Sequence, residues 1–471
     1  VTGAENRKIT DAVNYVSSQW LPFYSAQSDE LLKIDLVNSS QESREKALRL
    51  LRSDLALYSW CLLKGASEKD ACDTLHERLL RGARVIQSSG VVPSAHVLGQ
   101  SSHIQQSILR KTLSGSTCAE VISPYFSIDN ETAFAVSALR ELGRMLIAWN
   151  YPHIYSRAHD EVRTLDDPRV DYTTRLDEKI NSVLGFSPLS LSLRFAQEMD
   201  LPKAIFLGMG GRHDNHAPKE VASLGATLKK IADISYAFAQ ASDSSAGTQE
   251  LVAWGRCRDE LIPLIGMNGM QFIRDSCQKV LKAYSAALPE LVTGSSSSKI
   301  LAPSERPSDQ RYLANYHIPH CNDRVQDALR VVYVKINPRI ISYDNVTYII
   351  RNIAPVAGFL SGGIFLLNPE RGALEPRILI SSTAKNMPPI FYKEPAFAAH
   401  PIKMAFLSRL PMIDVREKDR VYALAGILGE SQRVGVIYFE LSEESNGGPP
   451  MPYRAHFKAL QQALHDSLNI D

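Results

Sequence analysis

Two hydrophobic rhythms divide this chain, and the change between them constrains its fold more than any single motif. Through residue 290 the apolar residues recur at spacings of three and four. "SREKALRLLRSDLALYSWCLLKGA" (43–66) places Leu48, Leu51, Leu55 and Tyr58 on one side of a helix. "GMNGMQFIRDSCQKVLKAYSAALPEL" (266–291) does the same with Phe272, Ile273, Cys277, Val280 and Tyr284. Strand-like alternation is scarce before residue 330. The rhythm then breaks at "TGSSSSKILAPSERPSDQR" (293–311), which is rich in Ser and Pro and nearly free of large apolar residues. It reads as a flexible linker, taken here to extend over 293–324.

Beyond the linker the texture is that of strands. "GGIFLL" (362–367), "PRILIS" (376–381), "RVYALAGIL" (420–428) and "RVGVIYFEL" (433–441) are rich in Val, Ile, Tyr and Phe. The last two flank "GESQ" and predict a hairpin. Helical patterns bracket the set, over 343–359 before it and over 453–468 after it. The expected fold is therefore multi-domain: an all-α domain over 1–292, then an α+β domain with an antiparallel sheet over 325–471. A chain of 471 residues is too long for one ordinary core, which agrees with that division.

Charge and composition narrow the partners. With 52 basic and 51 acidic residues, the net charge is +1 and no basic stripe stands out, so neither nucleic acid nor an anionic membrane is expected. No window approaches the ~18 apolar residues that span a bilayer. The start "VTGAENRKITDAVNYV" has no apolar core of a signal peptide. It also has no initiating Met, so a fragment or a processed product is expected. The six cysteines are scattered without a C-x-x-C pair, which suits reduced thiols in a cytoplasmic protein.

The most informative segment is "SALRELGRMLIAWNYP" (137–152). Ala135, Leu139, Leu142, Leu146 and Trp149 fall on one helical stripe, which would be buried. Arg140, Glu141 and Arg144 fall on the far side and are expected to face solvent or a partner. Gly143 would let a neighbouring element come close, and Pro152 would end the helix.

This segment, extended to "SALRELGRMLIAWNYPHIYSRA", resembles the part of HDOD domains in which "LLH-[DN]-[IL]-G-x-L" precedes an aromatic-Pro pair. The later run "LDEKINSVLGFSPLSLSLRFAQEMDLPKAIFLGMGGRHDNHAP" matches the family's order of an acidic residue, "LLGFxHAxLG", a helix, "W-x-[LF]-P-x-x-I" and "HHxP" through Leu184, Gly185, Phe186, Leu201, Pro202 and Ile205. The resemblance covers about residues 34–240. HDOD domains resemble HD phosphohydrolases that have lost their metal site, so the resemblance implies an all-helical scaffold without catalysis. The residues agree with that implication. An HD site needs neutral His and ionised Asp converging on a cation that activates water. Arg140 stands at the His position, and a guanidinium stays charged and offers no lone pair. Glu141 stands at the Asp position, and one carboxylate is not a site. His103 and His213 fall near two family histidines. Pro188 stands where the family often has another, and with Ser187 it makes an N-cap and first-turn pair.

Other constellations are weaker. "RHDNHAPKE" holds His213, Asp214 and His216, and "NYHIPHCND" holds His317, His320 and Cys321. Either could recruit zinc, but neither has a second ligand pair at regular spacing. "GMGGR" (208–212) and "GFLSGG" (358–363) read as turns rather than phosphate loops.

The second domain resembles GAF domains over about residues 325–468, with Gly435 and Val436 in the closing "G-V-[LI]-x-[FVL]" signature. That resemblance implies a bound small molecule such as a cyclic nucleotide, or dimerisation through outer helices. The combined expectation is a bacterial-type signalling protein with no cofactor, no bound metal and no catalysis. Its protein partner would meet Arg140, Glu141 and Arg144, and a homodimer through the second domain is compatible. The alternative is a degenerate metal-dependent phosphodiesterase for a (cyclic di)nucleotide, using Glu141, His103 and His213.

Overall fold

The computed structural model describes residues 3–23, 25–36, 40–66, 74–89, 94–164, 172–212, 218–243, 248–286, 307–337, 340–380, 387–394, 400–408, 413–416, 422–429, 433–441 and 451–470. The chain divides into two compact units, Val1–Ala302 and Pro303–Asp471. Each is described by itself.

The first unit is helical throughout its described residues. Its helices are α1 (Gly3–Ser18), α2 (Ser25–Leu32), α3 (Gln41–Ser53), α4 (Leu55–Gly65), α5 (Leu75–Ser89), α6 (His103–Ile122), α7 (Asn130–Asn150), α8 (Pro152–Thr164), α9 (Tyr172–Leu184), α10 (Pro188–Glu198), α11 (Lys203–Gly208), α12 (Lys219–Ser242) and α13 (Thr248–Ala286). The last is broken at Gly266, where φ is 70°.

Helix α7 is the axis of this unit. Asp129 caps its start by accepting a hydrogen bond from the Thr132 amide. It stops at Asn150 because Pro152 cannot extend it, and Pro152 instead becomes the first residue of α8. The stripe Ala135, Leu139, Leu142, Leu146 and Trp149 is buried as expected. Each Leu in it contributes about 1.5–3 kcal/mol by leaving water.

The opposite side of α7 is buried too, which corrects the expectation for its charges. Glu141 is 8% exposed and Arg144 is 9% exposed, while Arg140 is partly exposed. A wheel drawn on one helix cannot show that α6, α8, α9 and α12 close over the polar side. Two further contacts hold α7 in place. Gly143 lies against α10, where a Cβ would come within 2.0 Å of the Pro188 carbonyl oxygen. The Ser192 hydroxyl accepts from the Gly143 amide and donates to the Arg140 carbonyl. Ser187 caps α10 with Pro188 in its first turn, as the sequence implies.

At the start of α7, Glu131 is 1% exposed and gathers four helices. It accepts from Tyr58 on α4 (2.7 Å), from Arg52 on α3 and from His76 on α5 (3.0 Å), while Arg52 also reaches Glu120 on α6 (2.9 Å). Burial alone would raise the Glu131 carboxyl, but the His76 hydrogen bond, the Arg52 charge and the Tyr58 hydroxyl together hold it below the usual range.

The second unit is α+β. It comprises α14 (Pro307–Ala314), α15 (Asp323–Lys335), α16 (Tyr343–Tyr348), β1 (Phe359–Asn368), β2 (Ala373–Leu379), β3 (Ile390–Phe391), α17 (Pro401–Ser408), β4 (Ile413–Arg416), β5 (Tyr422–Leu428), β6 (Gly435–Leu441) and α18 (Met451–Leu468). The six strands form one antiparallel sheet in the order β3-β2-β1-β6-β5-β4. Alternation sorts its side chains into two layers. Leu424, Leu428, Ile437 and Phe439 face Val325, Ile353, Phe457 and Leu464 on the helical side. Ala423, Ala425, Val436 and Tyr438 join Ile402 and Phe406 of α17 on the other side. After α16 the chain widens into a π-helical turn, Ile349–Ile353, just before Pro355, whose ring would crowd a carbonyl in a regular α-helix.

Two expectations are corrected here. The linker does not reach residue 324. Residues 307–314 are α14, and Tyr312, Ile318 and Cys321 belong to the second core. Asn315 donates to Tyr333 (3.0 Å) and to the Ala459 carbonyl (2.9 Å), and these buried bonds tie the segment to α15 and α18. Residues 293–306 lie outside the described residues. "GFLSGG" is not a turn from residue 359 on but the start of central strand β1. There Gly362, at φ 110°, would drive a Cβ within 2.1 Å of the Tyr438 carbonyl oxygen on β6. Only glycine fits between the flanking strands.

Two predictions follow from the first unit. Gly143→Ala pushes a methyl into backbone that cannot yield, so it costs about 1–3 kcal/mol in urea unfolding. Gly99→Ala, with nothing within 4 Å of its added Cβ, stays within about 0.5 kcal/mol of the parent. The second concerns pH. The hydrogen bond to Glu131 raises His76 above its ordinary 6.5. Its contribution to stability is complete below 6.5 and is lost as pH rises through the higher folded value. Unfolding measured across this window loses that component in His76→Gln, and an unchanged profile refutes the assignment.

Candidate functional site

The buried polar side of α7 is the floor of a cleft. A cavity of about 100 Å³ lies above it, walled by α6, α7, α8, α9, α12 and α13. It adjoins a second space of about 330 Å³ that shares Arg140, Glu141, Arg144, Tyr172 and Tyr236.

The cleft is built from rows of residues four apart. Helix α6 supplies His103, Ser107 and Lys111, and α8 supplies Tyr155, His159 and Arg163. Such residues share a helix face, so each helix offers one polar row to the same space. Helix α7 adds Ser137, Arg140, Glu141 and Arg144.

The ionic wiring is specific. Arg144 pairs with Glu141 one turn back on α7 and with both carboxylate oxygens of Asp177 on α9 (3.0 and 3.1 Å). Its guanidinium thus lies between two carboxylates and also packs 5.8 Å from the Tyr236 ring centroid. Burial disfavours its charge, but Glu141 and Asp177 outweigh burial and keep the guanidinium more firmly protonated than usual. Its Nε has no hydrogen-bond partner. Arg140 pairs with Asp233 of α12, which also binds Lys229 (2.7 Å). Burial raises Asp233, and Arg140 and Lys229 together pull it below the usual carboxylate range.

The sequence candidates are brought together in part. His103, Arg140, Glu141 and Arg144 line the same cavity. His103 is an exposed residue of the first turn of α6, whose cap is Ser102 with Gln105. His213, Asp214 and His216 lie outside the described residues. In the second unit His317, His320 and Cys321 are not gathered by any metal-ligating group, and among the described residues no cluster of three or more His, Cys, Asp or Glu could hold a metal. Cys321 instead donates to the His317 carbonyl, and burial raises its thiol to about 12.

None of Lys111, Ser137, Tyr155, His159 and Asp177 stands in a sequence motif that marks a site. Asp177 stands seven residues before Leu184-Gly185-Phe186, within the run "LDEKINSVLGF" on which the sequence resemblance rests. The four-residue spacing on α6 and α8 was a further signal, but polar rows of that kind also mark solvent-facing helices.

No family model matches the chain, and no curated protein matches it. Among solved structures it is similar to the MmoQ response regulator of Methylococcus capsulatus str. Bath, at 13% identity and a TM-score of 0.35 over 52% of this chain and 98% of that one. It is also similar to a candidate phosphohydrolase of Shewanella amazonensis SB2B, at 15% identity and a TM-score of 0.30 over 62% of this chain and 99% of that one.

The Arg144 bridge yields a prediction. Arg144→Met leaves Glu141 and Asp177 buried without their cation and costs about 3–5 kcal/mol in denaturant unfolding. Arg144→Lys recovers only part of that loss, because an ammonium cannot span two carboxylates with a planar fork. Full recovery by Lys would show that charge alone suffices.

Proposed function

We propose that this protein is a non-catalytic regulatory protein, in which an HDOD-like helical scaffold is joined to a GAF-like unit that senses a small molecule or pairs with a second copy. The observation that carries this reading is the Arg144 guanidinium lodged between Glu141 and Asp177. A hydrolytic metal would need those carboxylates free, with imidazole beside them and an open position for water. Here both are neutralised by a cation that cannot lose its proton. A divalent ion would have to displace it and would also meet the charge of Arg140.

Burial revises the partner face. Glu141 and Arg144 are out of a partner's reach, so the surface offered at this place is the rim of Arg140, Asp233 and Lys229, whose side chains are 25%, 40% and 51% exposed. For the second unit, the antiparallel sheet with helices on one side and α17 on the other supports the GAF-like reading.

The enzymatic alternative retains one supporting observation, the convergence of His103 and Glu141 on one cavity. Metal analysis of the purified protein, beside a phosphodiesterase assay with added manganese, separates the two. We expect no stoichiometric metal and no turnover. Turnover that is abolished by chelator and by Glu141→Gln would establish the phosphodiesterase instead.

A further inference from the structure

We propose that the 100 Å³ cavity beside α7 is a binding site for a phosphate group, held by Lys111 and Arg163 and by the hydroxyls of Ser137 and Tyr155. The inference deepens the non-catalytic reading and rests on it, because the ligand is held and not cleaved.

The donors point to the ligand. Tyr155 is 3% exposed and Ser137 5%, both line the cavity, and neither hydroxyl makes a hydrogen bond among the described residues. Both residues are buried yet line the open space, so their hydroxyls are available to an acceptor that enters it. Lys111 lines the same space and is only partly exposed. Its ion pair with Asp243 is long, 3.7 Å, beyond hydrogen-bond reach. Arg163 and His159 bring further positive or protonatable groups from α8.

The local field agrees with the donors. Burial lowers Lys111, with the Asp243 and Glu250 carboxylates opposing and the Arg163 charge adding to it. Burial lowers His159 also, against its hydrogen bond with Asp160 and with Arg163 and Lys111 contributing in the same direction as burial. Lys111 and Arg163 repel one another in a poorly solvated space that Glu141 and Glu250 also line, and an anion placed between the two cations relieves that repulsion. The cavity, about 100 Å³, is large enough for one oxyanion. The adjoining space, walled by Tyr172 and Tyr236, leaves room for an aromatic substituent on that phosphate.

The test is calorimetric titration of the full chain with inorganic phosphate, and separately with phenyl phosphate, in chelator at constant ionic strength. Saturable binding of either probe is expected, and tighter binding of phenyl phosphate would identify an ester rather than the free ion as the ligand. Lys111→Met abolishes binding, and Tyr155→Phe, which keeps shape and removes only the hydroxyl, weakens it about tenfold. Arg157→Gln, an exposed change outside the cavity, binds like the parent. Absence of saturable binding of both probes, or parent-like affinity in either Lys111→Met or Tyr155→Phe, overturns the proposal. Manganese-dependent hydrolysis of phenyl phosphate would instead overturn the non-catalytic reading, so the two failures are told apart.

Discussion

Arg144 can sit inside the helical unit only because two carboxylates meet it from two helices. An unpaired guanidinium there would carry a large desolvation cost, and each carboxylate alone would do the same. Glu141 comes from one turn back on α7 and Asp177 from α9, so the pairing sets both the rotation of α7 and the position of α9. Gly143, against the Pro188 carbonyl, fixes how close α10 may come on another side. A second ionic cluster at Glu131 holds α3, α4 and α5 to the start of the same helix. The hydrophobic stripe of α7 would tolerate small rotations, whereas these directional contacts do not.

The same arrangement bears on the chemistry proposed for the cleft. A metal-dependent hydrolase needs exposed lone pairs around an empty centre. Here Arg144, whose charge does not titrate, lies between the Glu141 and Asp177 carboxylates at the floor of the cleft. Around it Lys111, Ser137, Tyr155 and Arg163 offer donors, and Glu141 and Glu250 offer acceptors. The floor is part of the core, so a ligand in the cleft would meet a preorganised surface.

In the second unit, backbone and side chains divide the work differently. Strand alternation sends Leu424, Ile437 and Phe439 to one layer and Ala425, Val436 and Tyr438 to the other, and both layers are covered. The strand textures and the hairpin of β5 and β6 were legible in sequence because period two is a local property. The segment around residues 307–322 was not. Its Ser, Pro and Asn content looks like linker, yet Asn315 and Tyr312 are placed by bonds and packing to residues about 20 to 150 positions away. "GFLSGG" misled for a related reason: its glycines answer to the flanking strands and not to a turn.

By itself the sequence determined the all-helical first unit, the antiparallel α+β second unit, the buried stripe of α7, the stop at Pro152, the cap at Ser187 and the close approach at Gly143. Each follows from local periodicity or from the backbone limits of one residue. The resemblance to HDOD domains also implied that Arg140 and Glu141 stand where an HD domain has its metal pair. Only the tertiary structure decided that Glu141 and Arg144 are interior, that Asp177 completes their pairing, and that Lys111, Ser137 and Tyr155 share one cavity. A polar row on a helix looks the same whether it meets water or another polar row. The difference lies in which helices cover it, and that is set by contacts far apart in the chain.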